Sequence, residues 1–128
     1  MNGQTNYITE NSWTDTITRW YVHINDAYNR LITKRGKRLR SRGPEPRFSD
    51  SEVITVSLII ETFFQGHEEV GYAFVRQFLR EMFPDLIDLD RFNLRRRELV
   101  AVIEAIRRDF RDQKIDVGDP VRLVDSAP

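Results

Sequence analysis

Residues 48–64, FSDSEVITVSLIIETFF, leave this chain fewer options than any other stretch. Ser49 followed by Glu52 has the form of a capping box, a serine with a glutamate three residues on, which marks the start of a helix. Behind that cap, Val53, Ile54, Val56, Leu58, Ile59, Ile60, Phe63 and Phe64 cover most of a helix circumference rather than one stripe. A helix that is apolar nearly all round has to be buried. The stretch therefore reads as the central post of a small helical domain, with the other helices packed about it.

The remaining periodicity supplies those helices. Ser12 and Asp15 form a second cap, and Trp13, Ile17, Trp20, Ile24, Ala27 and Leu31 then recur at steps of four and three, one face of a helix. Asp15 with Arg19, and Asp26 with Arg30, stand one turn apart on the opposite face and are expected to pair. Gly66 suits the end of the central helix. A third helix is expected over about 69–82, with Val70, Phe74, Phe78 and Met82 inward, backed by Val75 and Leu79, and Pro84 closing it. A fourth is expected over about 89–112, capped by Asp88 or Asp90, with Phe92, Leu99, Ile103, Ile106 and Phe110 on its core face and a surface pair of Glu104 with Arg108. The expected fold is mainly α: four helices at about 12–33, 49–65, 69–82 and 89–112, then a short strand at about 121–125. Residues 1–11 read as a loose N-terminus, 12–114 as one helical domain with a basic loop at 34–47, and 115–128 as the stub of a further unit.

Charge is segregated along the chain. Lysines and arginines total 20 and so do the acids, yet 34–47 holds Lys34, Arg35, Lys37, Arg38, Arg40, Arg42 and Arg47 against Glu45 alone. Residues 48–90 are mostly acidic, and 91–114 turn basic again. Such segregation suits a protein with one face toward an anion. Gly36, Gly43, Pro44 and Pro46 break the first basic stretch into a loop or arm. It is either a solvated linker or an arm that tracks phosphates, gaining affinity through counterion release. The dominance of arginine favours bidentate contacts.

On the fourth helix, Arg96 leaves from the apolar side, one turn from Phe92. An unpaired buried arginine costs several kcal/mol, on the order of a broken buried ion pair. A carboxylate partner such as Asp88 or Glu81, or a helix end that projects beyond the core, is therefore expected. Arg91, Arg95 and Arg97 surround it. The third and fourth helices have the outline of a helix-turn-helix whose second member reads DNA, although the connection is longer than that motif uses.

Composition excludes several classes. There is no cysteine, so disulfides, thiol nucleophiles and thiolate-held metals are ruled out. Only His23 and His67 could supply metal-binding nitrogen; His23 reads as a surface residue and His67 as a turn residue. No stretch reads as a signal peptide or a membrane span, so a cytoplasmic protein with no membrane partner is expected. Neither histidine belongs to a catalytic triad and no glycine-rich phosphate loop is present, which argues against a complete independent enzyme.

Four segments in order, FSDSEVITVSLI, YAFVRQFLREMFPDL, DRFNLRRREL and RLVDSAP, together resemble the N-terminal part of bacterial insertion-sequence transposases of the DDE type. The resemblance covers residues 48–128. It implies a helical DNA-binding region followed by an RNase H-like catalytic domain, whose first strand ends in the first of three metal-binding acids. Asp125, in the phrase LVDS, matches that acid. In such enzymes two divalent cations, Mg²⁺ or Mn²⁺, about 4 Å apart activate the attacking oxygen and stabilise the leaving one. One carboxylate cannot hold them. The resemblance therefore implies a truncated transposase that needs no cofactor as it stands, is inactive alone, and retains DNA binding at element ends. That binding is expected through Lys34, Arg35, Lys37, Arg38, Arg40, Arg42, Arg91, Arg95, Arg96 and Arg97. The alternative is a helical module that binds protein without binding DNA, by forming homo-oligomers or joining an intact transposase.

Overall fold

The computed structural model describes residues 2–35 and 46–113, with side chains over 13–32 and 46–113. The described residues form five helices: α1 (Asn2–Arg35), α2 (Asp50–Phe64), α3 (Glu68–Phe78), α4 (Leu89–Glu98) and α5 (Val100–Asp112). Among these residues no strand occurs, and no helix is long and apolar enough to cross a membrane. The expected strand at 121–125 and the expected stub at 115–128 lie outside the described residues.

α2 is the central post. Its capping box is complete: the Ser49 hydroxyl accepts from the Glu52 backbone N–H at 3.2 Å, and the Glu52 carboxylate accepts from the Ser49 N–H at 2.9 Å. Every residue from Val53 to Ile60 is buried. The two polar ones satisfy themselves within the helix, Thr55 donating to the Ser51 carbonyl and Ser57 to that of Val53, both at 2.8 Å. The helix closes through two left-handed residues, Gln65 (φ 54°) and Gly66 (φ 82°), and the Gly66 N–H bonds the Ile60 carbonyl at 3.1 Å. Helices α1, α3 and α4 all pack on α2, and α5 lies on α1.

α1 buries Ile17, Trp20, Ile24 and Ala27, the face its spacing defines. It is longer than expected at both ends. It begins at Asn2 rather than near residue 12, and it takes in Lys34 and Arg35 of the expected basic loop. Among the described residues Arg30 pairs not with Asp26 but with Asp109 of α5, at 3.2 Å.

The inward face of α3 differs from the expected one. Gly71, Tyr72, Val75 and Leu79 are buried, while Val70 is 62% and Phe78 65% exposed. The cause is a glycine. A Cβ at position 71 would stand 2.8 Å from Ile60 Cγ1, so α3 approaches α2 closely along the bare Gly71 backbone. A hydrophobic count gives that position no weight.

The expected fourth helix is two. At Leu99 (φ −102°, ψ 11°) the backbone leaves helical values, although Leu99 N–H still bonds the Arg95 carbonyl at 3.1 Å and Ile103 N–H that of Leu99 at 2.8 Å. The chain bends without opening a loop. The bend has a packing reason: α4 seats Phe92 against Tyr72, ring centroids 4.8 Å apart, while α5 turns to place Phe110 on Trp20 of α1. Arg107, rather than Arg108, pairs with Glu104, and it also reaches Glu61 of α2 at 2.5 Å.

Candidate nucleic-acid interface

The second basic cluster is carried by α4, and the packing of that helix decides which of its arginines face outward. Asp88 caps it, accepting from the Arg91 backbone N–H at 2.9 Å and from Arg91 Nε at 2.7 Å. The Arg91 side chain, hydrogen-bonding Asp88, holds its carboxyl below the usual carboxylate range. Just before the cap, the Tyr72 hydroxyl donates to the Ile87 carbonyl. Burial pushes that phenol up to about 12. These contacts fix where α4 begins, and Phe92, fully buried, fixes its rotation.

With Phe92 inward, Arg95 and Arg96 flank it three and four residues later and diverge to either side of α2. Arg95 turns toward the start of α2. Its guanidinium donates to Asp50 Oδ1 at 2.8 Å and to the Phe48 carbonyl, and it lies 5.8 Å from the centre of the Phe48 ring. The Tyr28 hydroxyl donates to Asp50 Oδ2 at 2.6 Å. The Arg95 side chain is 13% exposed and that of Asp50 5%, so this is a buried ion pair with added hydrogen bonds, placed where the N-terminus of α2 favours a negative charge.

Arg96 has the carboxylate partner its position demands, but the partner is Glu68 in the first turn of α3, not Asp88 or Glu81. Asn93 Oδ1 accepts from the same nitrogen at 3.4 Å. Arg91 and Arg97 are exposed. Arg97 makes no ion pair among the described residues.

An open groove of about 510 Å³ runs between the segment 46–48 and α4. It is lined by Arg47, Arg91 and Arg95, by the half-exposed Leu94, and by the acids Asp85 and Glu98. Arg47, in the sequence merely the last residue of the first basic stretch, stands here beside the second. Of the first basic stretch, Arg47 is the residue that the described structure sets on the same groove as Arg91 and Arg95. Lys34 and Arg35 end α1; Lys37, Arg38, Arg40 and Arg42 lie outside the described residues, as does Asp125.

Asp50 was not legible as the partner of Arg95, nor Tyr28 as that of Asp50, because 45 and 22 residues separate them in the chain, and only the fold brings three helices to that point. Among the described residues no cluster of three metal-ligating side chains occurs. No family model, curated protein or solved structure matches the chain.

Proposed function

We propose that this chain binds duplex DNA through its phosphate backbone, as the helical region does in the DDE insertion-sequence transposases that it resembles. The observation that supports this reading is the meeting of Arg47, the last residue of the first basic stretch, with Arg91 of α4 on one groove. Arg47 and Arg97 are exposed and make no ion pair among the described residues, Arg91 is exposed and paired with Asp88, and Lys37, Arg38, Arg40 and Arg42 are proposed to add phosphate contacts. Arg95 acts as the anchor that holds α4 on α2, and Arg96 is neutralised by Glu68.

Asp85 and Glu98 in the same groove, with Asp88 and Asp90 at the head of α4, disfavour insertion of this helix against base edges. They leave phosphate contact, which needs only cations at the rim, as the mode of binding. Binding of the full chain to duplex DNA across a salt series tests the reading. Affinity is expected to fall steeply with salt, and less steeply once Arg38, Arg40 and Arg42 are replaced by alanine. A salt-independent signal, or none at low salt, defeats it.

A further inference from the structure

The groove between the segment 46–48 and α4 contains more than a phosphate contact uses. On its α4 wall Arg91, Leu94 and Glu98 follow at helical spacing, so the wall runs from cation through apolar to anion. Leu94 is 52% exposed, and Ile87 and Pro46, half-buried, add apolar lining. Arg47 stands on the other wall without an ion pair among the described residues. Arg91 gives Nε to Asp88 and keeps its terminal nitrogens for another acceptor. Binding duplex phosphates at the rim engages these two cations and leaves the leucine and the carboxylates of Asp85 and Glu98 with no part to play.

An unpaired nucleotide engages all three kinds of group at once. Its phosphate is an anion, its base has two apolar faces that lie well on aliphatic side chains and arginine planes, and the base edge carries polar groups. A carboxylate accepts a hydrogen bond from an exocyclic amino group such as cytosine N4. A volume of about 510 Å³ falls within the range of sites that enclose a small organic ligand. A duplex cannot fill the same space, because its bases are stacked and the phosphates flanking them would meet Asp85 and Glu98. A peptide helix needs a row of apolar anchors a turn apart, and the α4 wall offers Leu94 alone.

From this we infer that the groove takes one unpaired nucleotide adjoining the duplex. Its phosphate lies between Arg47 and Arg91, its base over Leu94 and Ile87, and its amino-bearing edge toward Glu98 or Asp85. Cytosine, which presents a donor where thymine presents a carbonyl, is therefore preferred to thymine. The inference rests on the DNA-binding reading and refines it: the rim meets paired DNA, and the groove meets a strand that has left the pair.

Fluorescence anisotropy of the full chain tests it with four labelled DNAs: a blunt duplex, and the same duplex bearing a single-stranded tail of deoxycytidine, of thymidine or of abasic sugar-phosphate. The abasic tail carries the same charge as the others, so any difference from it belongs to the base. The deoxycytidine tail is expected to bind roughly fivefold tighter than the abasic one, with the thymidine tail between them. Leu94→Asn, a neutral change at an exposed position, should bring the deoxycytidine and abasic tails to equal affinity. Asp85→Asn combined with Glu98→Gln should do the same for deoxycytidine and thymidine. Circular dichroism checks that each variant keeps its helices. Equal affinity of the deoxycytidine and abasic tails, a thymidine tail as tight as the deoxycytidine one, or an advantage that survives Leu94→Asn overturns the inference. If the blunt duplex binds in those cases, the DNA-binding reading stands; if no duplex binds, both fall.

Discussion

Arg95 and Asp50 lie 45 residues apart in the chain and 2.8 Å apart in the fold. Together with Tyr28 they tie α4, the start of α2 and α1 into one junction. Arg95→Ala would leave the Asp50 carboxylate buried with its cation gone, and a loss of about 3 kcal/mol is expected. Arg95→Lys should recover only part of it, because an ammonium cannot span Asp50 and the Phe48 carbonyl as a guanidinium does. Urea unfolding followed by circular dichroism measures both; a cost near zero for the alanine variant would show that the junction does not hold the fold.

Gly71→Ala sets two effects against each other. Alanine in a helix gains roughly 1 kcal/mol over glycine, but the new methyl would meet Ile60 Cγ1 at 2.8 Å and Cγ2 at 3.2 Å inside a closed core. Overpacking of this kind costs about 1–3 kcal/mol, so net destabilisation is expected. In an Ile60→Ala background the obstacle is gone and the same substitution should stabilise. Equal effects in both backgrounds would show that α3 and α2 do not meet at this point.

Tyr72 makes stability fall on the alkaline side. The unfolded phenol releases its proton near pH 10, the folded one only near 12. Above pH 10 the unfolded state therefore binds fewer protons than the native state, and stability declines as pH rises from about 10 to 12. Tyr72→Phe is expected to cost stability at neutral pH, through loss of the bond to the Ile87 carbonyl, and to flatten that alkaline decline. Thermal melts of both proteins from pH 8 to 12 compare the slopes, and parallel curves would contradict the expectation.

Asp88 behaves in the opposite sense. Its carboxyl is held below the ordinary value by Arg91, so the stability it confers is fully present above the unfolded pKa and is lost as pH falls through the folded one. Asp88→Asn is expected to reduce the acid dependence below about pH 4, while amide exchange over the first turn of α4 rises. An unaltered acid limb would remove Asp88 from that role.

Binding and stability should separate on α4. Arg47→Ala and Arg97→Ala, both at exposed positions, are expected to leave the melting temperature unchanged and each to lower the salt slope of DNA binding by about one. Arg95→Ala is expected to do the reverse, lowering stability first. A variant at Arg97 that melts early yet binds as before would invert the assignment of outward and inward arginines.

Most of the frame can be read directly from residue order. The Ser49–Glu52 cap, the burial of 53–60 on all sides and the Ile17, Trp20, Ile24 face of α1 are local patterns, and local backbone geometry was enough to specify them. The need of Arg96 for an acid was legible for the same reason, since helical spacing places it beside Phe92. What periodicity could not supply was decided by contacts between distant segments. The missing side chain of Gly71 drew α3 onto α2 and turned Val70 and Phe78 outward. The bend at Leu99 arose because Phe92 and Phe110 pack on different helices. Glu68 rather than Asp88 reached Arg96, and Asp50 captured Arg95. A hydrophobic pattern records which residues avoid water, but not how closely two backbones approach or which of several acids lies within reach; those are set only when the helices dock.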